Sequence, residues 1–338
     1  MRKEPAQGYQ VRRGALTDLA TLVEKAGGSV DSLLQHCGLA AGQLEHPEER
    51  MPVADLICVL NAAARLPGLQ QSGLQLAQIQ GLEVLGVLGQ LLQRSATLQQ
   101  AFAQVRRYMA LHNQGEQWRL AEAGEYLAIR RFEQACFGQD GRQYRELALG
   151  NCLRLMQILA GSPVRPQRVE FSHRPLADIA GYRRFFGCEV RFDCEQDQLV
   201  FSPGIMSLPV AMQEDTGQIS SVYVQQLCQR YQNDLRSQMV TLIMQTLGAQ
   251  QHSLQHIAGL MGLHPRTLQR RLESEGIVFR KLVAEVRNNL ACWHLASSDM
   301  DITLLAAALG YTDVSGFSRA FRHWHGCSPR QWRQSCSV

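Results

Sequence analysis

The chain has 338 residues, enough for two or three ordinary domains, with 45% apolar and 19% charged residues. No stretch approaches the roughly 18 apolar residues that a membrane helix requires, and the basic start MRKEPAQGYQVRRG has no apolar run behind it, so it does not read as a secretory signal. Composition therefore speaks against a membrane protein, a disordered chain and an exported protein. The ten cysteines, scattered without a CxxC, are expected to be free thiols of a cytoplasmic protein.

From about 14 to 115 the periodicity is helical. Ser29 is placed to cap VDSLLQHCG, Pro52 to open the first turn of VADLICVLNAAARL, and Thr97 with Gln100 to form a capping box before AFAQVRRYMALH. From about 116 to 202 the pattern mixes. QWRLAEAGEYLAIRRFE reads as a hairpin around Ala123-Gly124, followed by a helix over about 143–160. A strand at Arg168–Ser172, a short helix carrying Tyr182-Arg183-Arg184-Phe185-Phe186, and strands at Glu189–Phe192 and Gln198–Phe201 complete an α+β arrangement. Pro203 and Pro209 then break the chain, and a polar, Gln-rich helix is expected from near Gly217. This reads as an N-terminal domain over 1–210, a connection over 211–233 and a C-terminal domain over 234–338, helical throughout.

The C-terminal domain contains a weak internal repeat. Ile257-Ala258-Gly259-Leu260-Met261-Gly262-Leu263-His264 resembles Leu305-Ala306-Ala307-Ala308-Leu309-Gly310-Tyr311-Thr312, and Leu268-Gln269-Arg270-Arg271-Leu272 matches Phe317-Ser318-Arg319-Ala320-Phe321. Each copy has the parts of a helix-turn-helix, at about 253–275 and 301–325. A small residue (Ala258, Ala306) allows two helices to cross closely, and a glycine (Gly262, Gly310) supplies the positive φ of the turn. An apolar plug follows, and the second helix buries Leu268/Leu272 or Phe317/Phe321. Its opposite face carries Arg266, Thr267, Gln269 and Arg270 in one copy, and Ser315, Ser318, Arg319 and Arg322 in the other. These are residue types that read base edges or hold phosphates.

Charge agrees with this placement. Residues 1–249 hold 24 basic and 24 acidic side chains, whereas residues 250–338 hold 10 and 6 and so carry the whole excess of +4. Only Lys3, Lys25 and Lys281 among the 34 basic residues are lysines. The basic surface is therefore arginine, whose planar fork suits phosphate and guanine edges.

These motifs, IAGLMGLHPRTLQRRLESEG, RNNLACWHLASS and ITLLAAALGYTDVSGFSRAFRHWHGCSPRQWR, resemble the DNA-binding domain of the AraC/XylS family of bacterial transcription regulators. Tyr311 stands where Phe is usual, Trp332 where Tyr is usual, and Gly316 is an odd choice inside a recognition helix because it lowers helix stability and offers no side chain. Residues from about 29 to 210 resemble the arabinose-binding-type N-terminal domain of one branch of that family, whose members answer different signals. The carriers are RMPVADLICVLNAAARL, RSATLQQAFAQVRRYMALH and RVEFSHRPLADIAGYRRFFGCEVRFDCEQDQLVFSP. The resemblance implies promoter DNA and RNA polymerase as partners, a homodimer, a small-molecule effector and activation of transcription.

Other constellations read as structural. Cys188 and Cys194 lack a further ligand at metal spacing, so no metal site is expected. His252, His256 and the run His323-Trp324-His325 are expected to solvate or cap. Gly81, Gly86 and Gly89 lack the following Lys-Ser/Thr of a phosphate loop and read as close-packing positions, and Tyr182, Phe185 and Phe186 as core.

The expected fold is an α+β N-terminal domain, mostly helical with a small mixed sheet, followed by an all-α DNA-binding domain of two helix-turn-helix units joined by a long helix over about 278–297. The expected function is sequence-specific transcription regulation without catalysis, cofactor or membrane association. A metabolite-binding protein or enzyme with an accessory helical domain is the alternative, and a third reading has the N-terminal domain only dimerise.

Overall fold

The computed structural model describes residues 9–133, 140–211, 235–247, 252–297 and 300–336. The chain forms two compact units, Met1–Leu227 and Cys228–Val338. Apart from residue 211, the connection read at 211–233, and with it the helix near Gly217, lies outside the described residues.

The first unit begins with a two-stranded antiparallel ribbon, β1 (Gln10–Arg12) against β2 (Arg50–Pro52). Three-residue strands carry too short a pattern to show a period, and the helical reading of 14–115 passed over β2. The helices are α1 (Leu19–Lys25), α2 (Val30–His36), α3 (Val53–Ala63), α4 (Ser72–Ile79), α5 (Val87–Gln93) and α6 (Leu98–His112).

Their ends follow local chemistry. Ser29 Oγ accepts from Ser32 N at 3.5 Å, and Thr97 Oγ1 accepts from Gln100 N at 3.3 Å. Gln100 Oε1 reaches back to Ala96 N at 3.0 Å, one residue before the cap, so the box is closed a step earlier than its usual form. Pro52 ends β2 and caps α3 from outside instead of sitting in its first turn. Gly86 and Gly89 are close-packing positions. A Cβ on Gly86 would lie 2.5 Å from the Arg12 guanidinium, and one on Gly89 would lie 2.3 Å from the Leu82 carbonyl.

One expectation is corrected here. Cys37, at the end of α2, and Cys58, inside α3, form a disulfide with Cα atoms 5.9 Å apart. The packing of α2 on α3 brings them together, and a separation of 21 residues leaves no local spacing to read. Cys152, Cys188, Cys194, Cys292 and Cys327 are free thiols, as expected.

The mixed sheet has five strands: β3 (Glu116–Ala123), β4 (Tyr126–Glu133), β5 (Arg168–Glu170), β6 (Glu189–Arg191) and β7 (Asp197–Phe201), in the order β3-β4-β7-β5-β6. Only β5 and β6 run parallel. The long α7 (Arg142–Ala160) packs on β7, α3 and α4, and α8 (Ile179–Phe186) lies against β6. Tyr182 and Phe186 are fully buried with Phe171, and Phe185 is half-buried, so this aromatic group is core.

A buried ion cluster ties sheet to helix. Arg131 donates to Glu116 and Glu133, each at 2.8 Å, and Arg145 of α7 donates to Glu133 at 3.2 Å. Asp197 lies 3.8 Å from Arg131 and 3.7 Å from Arg145, and accepts from the Ser172 N–H and hydroxyl at 2.8 and 2.9 Å.

A separate buried carboxyl, Glu146, is held by the Tyr182 hydroxyl. Burial pushes its pKa up to about 8. Folding therefore takes up a proton between about pH 4.5 and 8, and stability contributed by the protonated acid is lost as pH rises through that window. Glu146→Gln should remove this slope, with the variant gaining on the parent protein as pH rises from about 5 to about 8. Denaturant titrations across that range check this; parallel pH curves would refute it.

The second unit is all-helical in its described residues. It comprises α9 (Leu235–Thr246), α10 (Leu254–Leu260), α11 (Pro265–Ser274), α12 (Phe279–Ser297), α13 (Ile302–Ala308), α14 (Val314–His325) and α15 (Pro329–Cys336). Met239 and Ile243 of α9, Val286 and Leu290 of α12, and Phe317 and Phe321 of α14 are core residues. Among the described residues, no helix is long and apolar enough to cross a membrane.

Candidate nucleic-acid interface

The two repeats fold into two helix-turn-helix units closed by the same backbone device. In the first, α10 is capped by Ser253, whose Oγ accepts from His256 N at 3.1 Å. After α10, Leu263 N donates to Ala258 O at 2.9 Å and Gly262 N to Gly259 O at 3.0 Å. In the second, after α13, Tyr311 N donates to Ala306 O and Gly310 N to Ala307 O, both at 2.9 Å. This nested pair is a Schellman closure, which requires a left-handed residue; Gly262 and Gly310 supply it at φ +65° and +72°. Ala258 and Ala306 are buried at the helix crossings, as their size requires.

The second helix of each unit starts on its own cap. His264 Nδ1 accepts from Arg266 N at 3.3 Å, with Pro265 opening α11. Asp313 Oδ1 accepts from Gly316 N at 2.7 Å, and these N-terminal donors hold its carboxyl below the usual range. Gly316 supplies the N–H that this cap binds, a role that any residue other than proline fills equally well.

The faces divide as the repeat predicts, with one exception. Leu268, Leu272, Phe317 and Phe321 are buried. Arg266, Thr267, Gln269 and Arg270 are all exposed on α11, and Arg271 joins them, a cation the sequence reading left out of the site. On α14, Ser315, Arg319 and Arg322 are exposed, whereas Ser318 is half-buried. Gln269 donates to Glu273 at 3.2 Å, so its amide is held along the helix.

The positioning residue the sequence reading missed is Arg287, in the middle of α12. Its Nε donates to Leu309 O, and one terminal nitrogen donates to Gly310 O and lies against His252 Nε2, all at 2.9 Å. The guanidinium also stands 4.4 Å from the centre of the Tyr311 ring. Burial and Arg287 itself lower the His252 pKa, keeping that ring neutral and able to accept. One side chain thus joins the entry of the first unit to the turn of the second. Its partners lie 22 to 35 residues away in the chain, so no local pattern marks it out from Arg280 of the same helix.

The terminal histidines split in role. His323 is exposed, whereas His325 lies 2.6 Å from Asn288 Oδ1 and 3.2 Å from Cys292 Sγ, and packs against Phe321 and Trp332. His325 is therefore part of the packing between α12, α14 and α15.

Arg287→Ala should destabilise the second unit by about 1.5–3 kcal/mol, because two carbonyls lose a charged donor. Arg287→Lys should restore little, since a single ammonium cannot reproduce the fork. Hydrogen exchange at the α13–α14 turn checks this; full protection in the alanine variant would refute it.

Residues 27–210 match the arabinose-binding domain of AraC transcription regulators, and residues 257–335 match a helix-turn-helix domain. The chain is 28% identical to the HTH-type transcriptional regulator VirS of Mycobacterium tuberculosis over 336 residues, covering 96% of this chain and 97% of VirS. It is 25% identical to the ornithine utilization regulator of Pseudomonas aeruginosa, covering 94% of each chain. The crystal structure of the transcriptional regulator CdpR from Pseudomonas aeruginosa aligns over 90% of this chain and 96% of its own, with a TM-score of 0.43 and 20% identity. The chain belongs to the AraC family and is a DNA-binding transcription regulator.

Proposed function

We propose that this regulator reads two successive major grooves with α11 and α14, about one helical turn (~34 Å) apart on one face of the duplex. The observation that carries this reading is the pair of identically closed helix-turn-helix units, each exposing arginines, on one connecting helix. Footprinting on promoter fragments tests it, with two protected major-groove segments expected; a single protected segment would overturn it.

The two helices are unequal. Arg266, Gln269 and Arg270 offer α11 three long side chains for base edges, whereas Val314 and Gly316 leave α14 with Ser315 and Arg319 for the bases and Arg322 for phosphate. Thr267 and the half-buried Ser318 supply shorter contacts. Arg270→Ala should cost about 1–3 kcal/mol and relax preference at particular base pairs. Arg322→Ala should weaken all sequences alike and flatten the salt dependence by about one unit. Affinity measured on operator and scrambled duplexes across a salt series distinguishes the two, and the reverse pattern would refute this division.

The N-terminal unit acts, in this reading, as the effector-responsive dimerisation domain of a cytoplasmic activator that works with RNA polymerase and has no catalytic role. Its balanced charge presents no electrostatic barrier to self-association. Sedimentation of the full-length chain should show a dimer at tens of micromolar, and a strict monomer there would count against it. A small molecule would act by shifting the population between DNA-competent and DNA-incompetent states.

A further inference from the structure

The first unit contains a cavity of about 110 Å³ bounded by α5, α6, the β3 strand and α7. Its walls are apolar, with Leu88, Phe102, Val105, Leu147, Leu155 and Met156 among them. The wall also carries polar groups, and most of them are already committed. Glu116 accepts from Arg131 at 2.8 Å and from the Trp118 indole at 3.4 Å. Asn113 donates to the Tyr144 hydroxyl at 2.7 Å and accepts from Gly115 N at 2.8 Å. Asn151 donates to Gln80 at 2.8 Å.

Two buried atoms of this wall have no hydrogen-bond partner: His112 Nδ1 and Asn151 Oδ1. His112 is 6% exposed. Burial, together with Arg12 and Arg50, lowers its pKa to about 3, so the ring is neutral at physiological pH. An unmatched buried polar atom costs about 1–3 kcal/mol, and a ligand that pairs with it recovers that cost.

These features define what fits. A sugar brings several hydroxyls, each needing a partner that apolar walls do not provide. A zwitterion or diamine needs an uncommitted charge, and the one charged side chain lining the cavity, Glu116, is spent on Arg131. The volume is comparable to the roughly 150 Å³ apolar cavity that accepts benzene. We infer that this cavity binds a small uncharged amphiphile, a single ring or short alkyl body bearing one hydroxyl, which donates to Asn151 Oδ1 and accepts from the Nδ1–H tautomer of neutral His112. The inference deepens the effector reading of this unit and departs from the sugar chemistry in the description of the matching domain.

Calorimetric titration of the full-length chain tests it, with benzyl alcohol and its apolar counterpart toluene as probes, and L-arabinose and L-ornithine as competitors. Benzyl alcohol should bind saturably and raise the unfolding temperature, and neither competitor should displace it. His112→Leu should weaken benzyl alcohol about tenfold, the loss of one hydrogen bond, while leaving toluene within about twofold. Ala148→Leu, which fills the wall, should abolish both. If Ala148→Leu fails to fold, the His112 comparison still decides. No saturable binding of benzyl alcohol at millimolar concentration, displacement by L-arabinose or L-ornithine, or equal losses for alcohol and toluene in His112→Leu would each overturn the assignment. Promoter-fragment titrations with and without benzyl alcohol separate the two readings: binding with unchanged DNA affinity leaves the cavity assignment standing and removes the effector role.

Discussion

The Arg131 guanidinium is fully enclosed, and its contacts organise the first unit around it. Two strands of the hairpin supply Glu116 and Glu133, β7 supplies Asp197, and α7 supplies Arg145. Taking such charges out of water costs several kcal/mol each, and the cluster persists only because each ion meets an opposite one at close range. The carboxylates hold Arg131 firmly protonated against the effect of its burial. The Tyr144 ring lies 4.4 Å from the guanidinium, adding a favourable contact on its face. A shift in hairpin register would uncouple Glu116 and Arg131 together, so the cluster fixes register as well as packing.

That same cluster reaches the cavity wall through Glu116, beside the Tyr144 ring that lies against Arg131. Glu116 and Tyr144 belong to both, so the cavity wall is held by a strand and a helix that cannot move independently. It also explains why a charged residue in the wall does not make the site a charged one. The negative oxygen of Glu116 is answered by Arg131 at 2.8 Å, and the space is left to groups of neutral character.

The second unit solves a different problem. Each helix-turn-helix buries only a narrow apolar stripe, and short helices of seven to twelve residues are marginal alone. The connecting helix α12 supplies the missing support. Arg287 satisfies two carbonyls at the C-terminal end of α13, where intrahelical donors run out. Gly310 has a second reason to be glycine: a Cβ there would lie 2.6 Å from the Leu247 carbonyl. Gly262 has open space around it and answers only to its φ. The two copies therefore share a turn but not its surroundings. Polar contacts from α12 and close packing from the segment after α9 bear on the second turn alone.

Much of this was legible in the amino-acid order because its causes act over a few residues. Helix caps at Ser29 and Thr97, the glycine turns, the β3–β4 hairpin, and the alternation of buried and exposed positions on α11 and α14 are set within a turn or two of chain. The repeat was visible for the same reason: each copy spells one supersecondary unit. What only the tertiary structure decided joins residues far apart in sequence. Cys37 meets Cys58 because two helices pack, β1 finds β2 across the intervening helices, and Arg131 draws partners from positions 116 to 197. Arg287 and the orphaned atoms of His112 and Asn151 belong to the same class. Periodicity shows which face of an element is buried; which groups meet on that face is settled only when the elements pack, since desolvation and pairing depend on every neighbour at once.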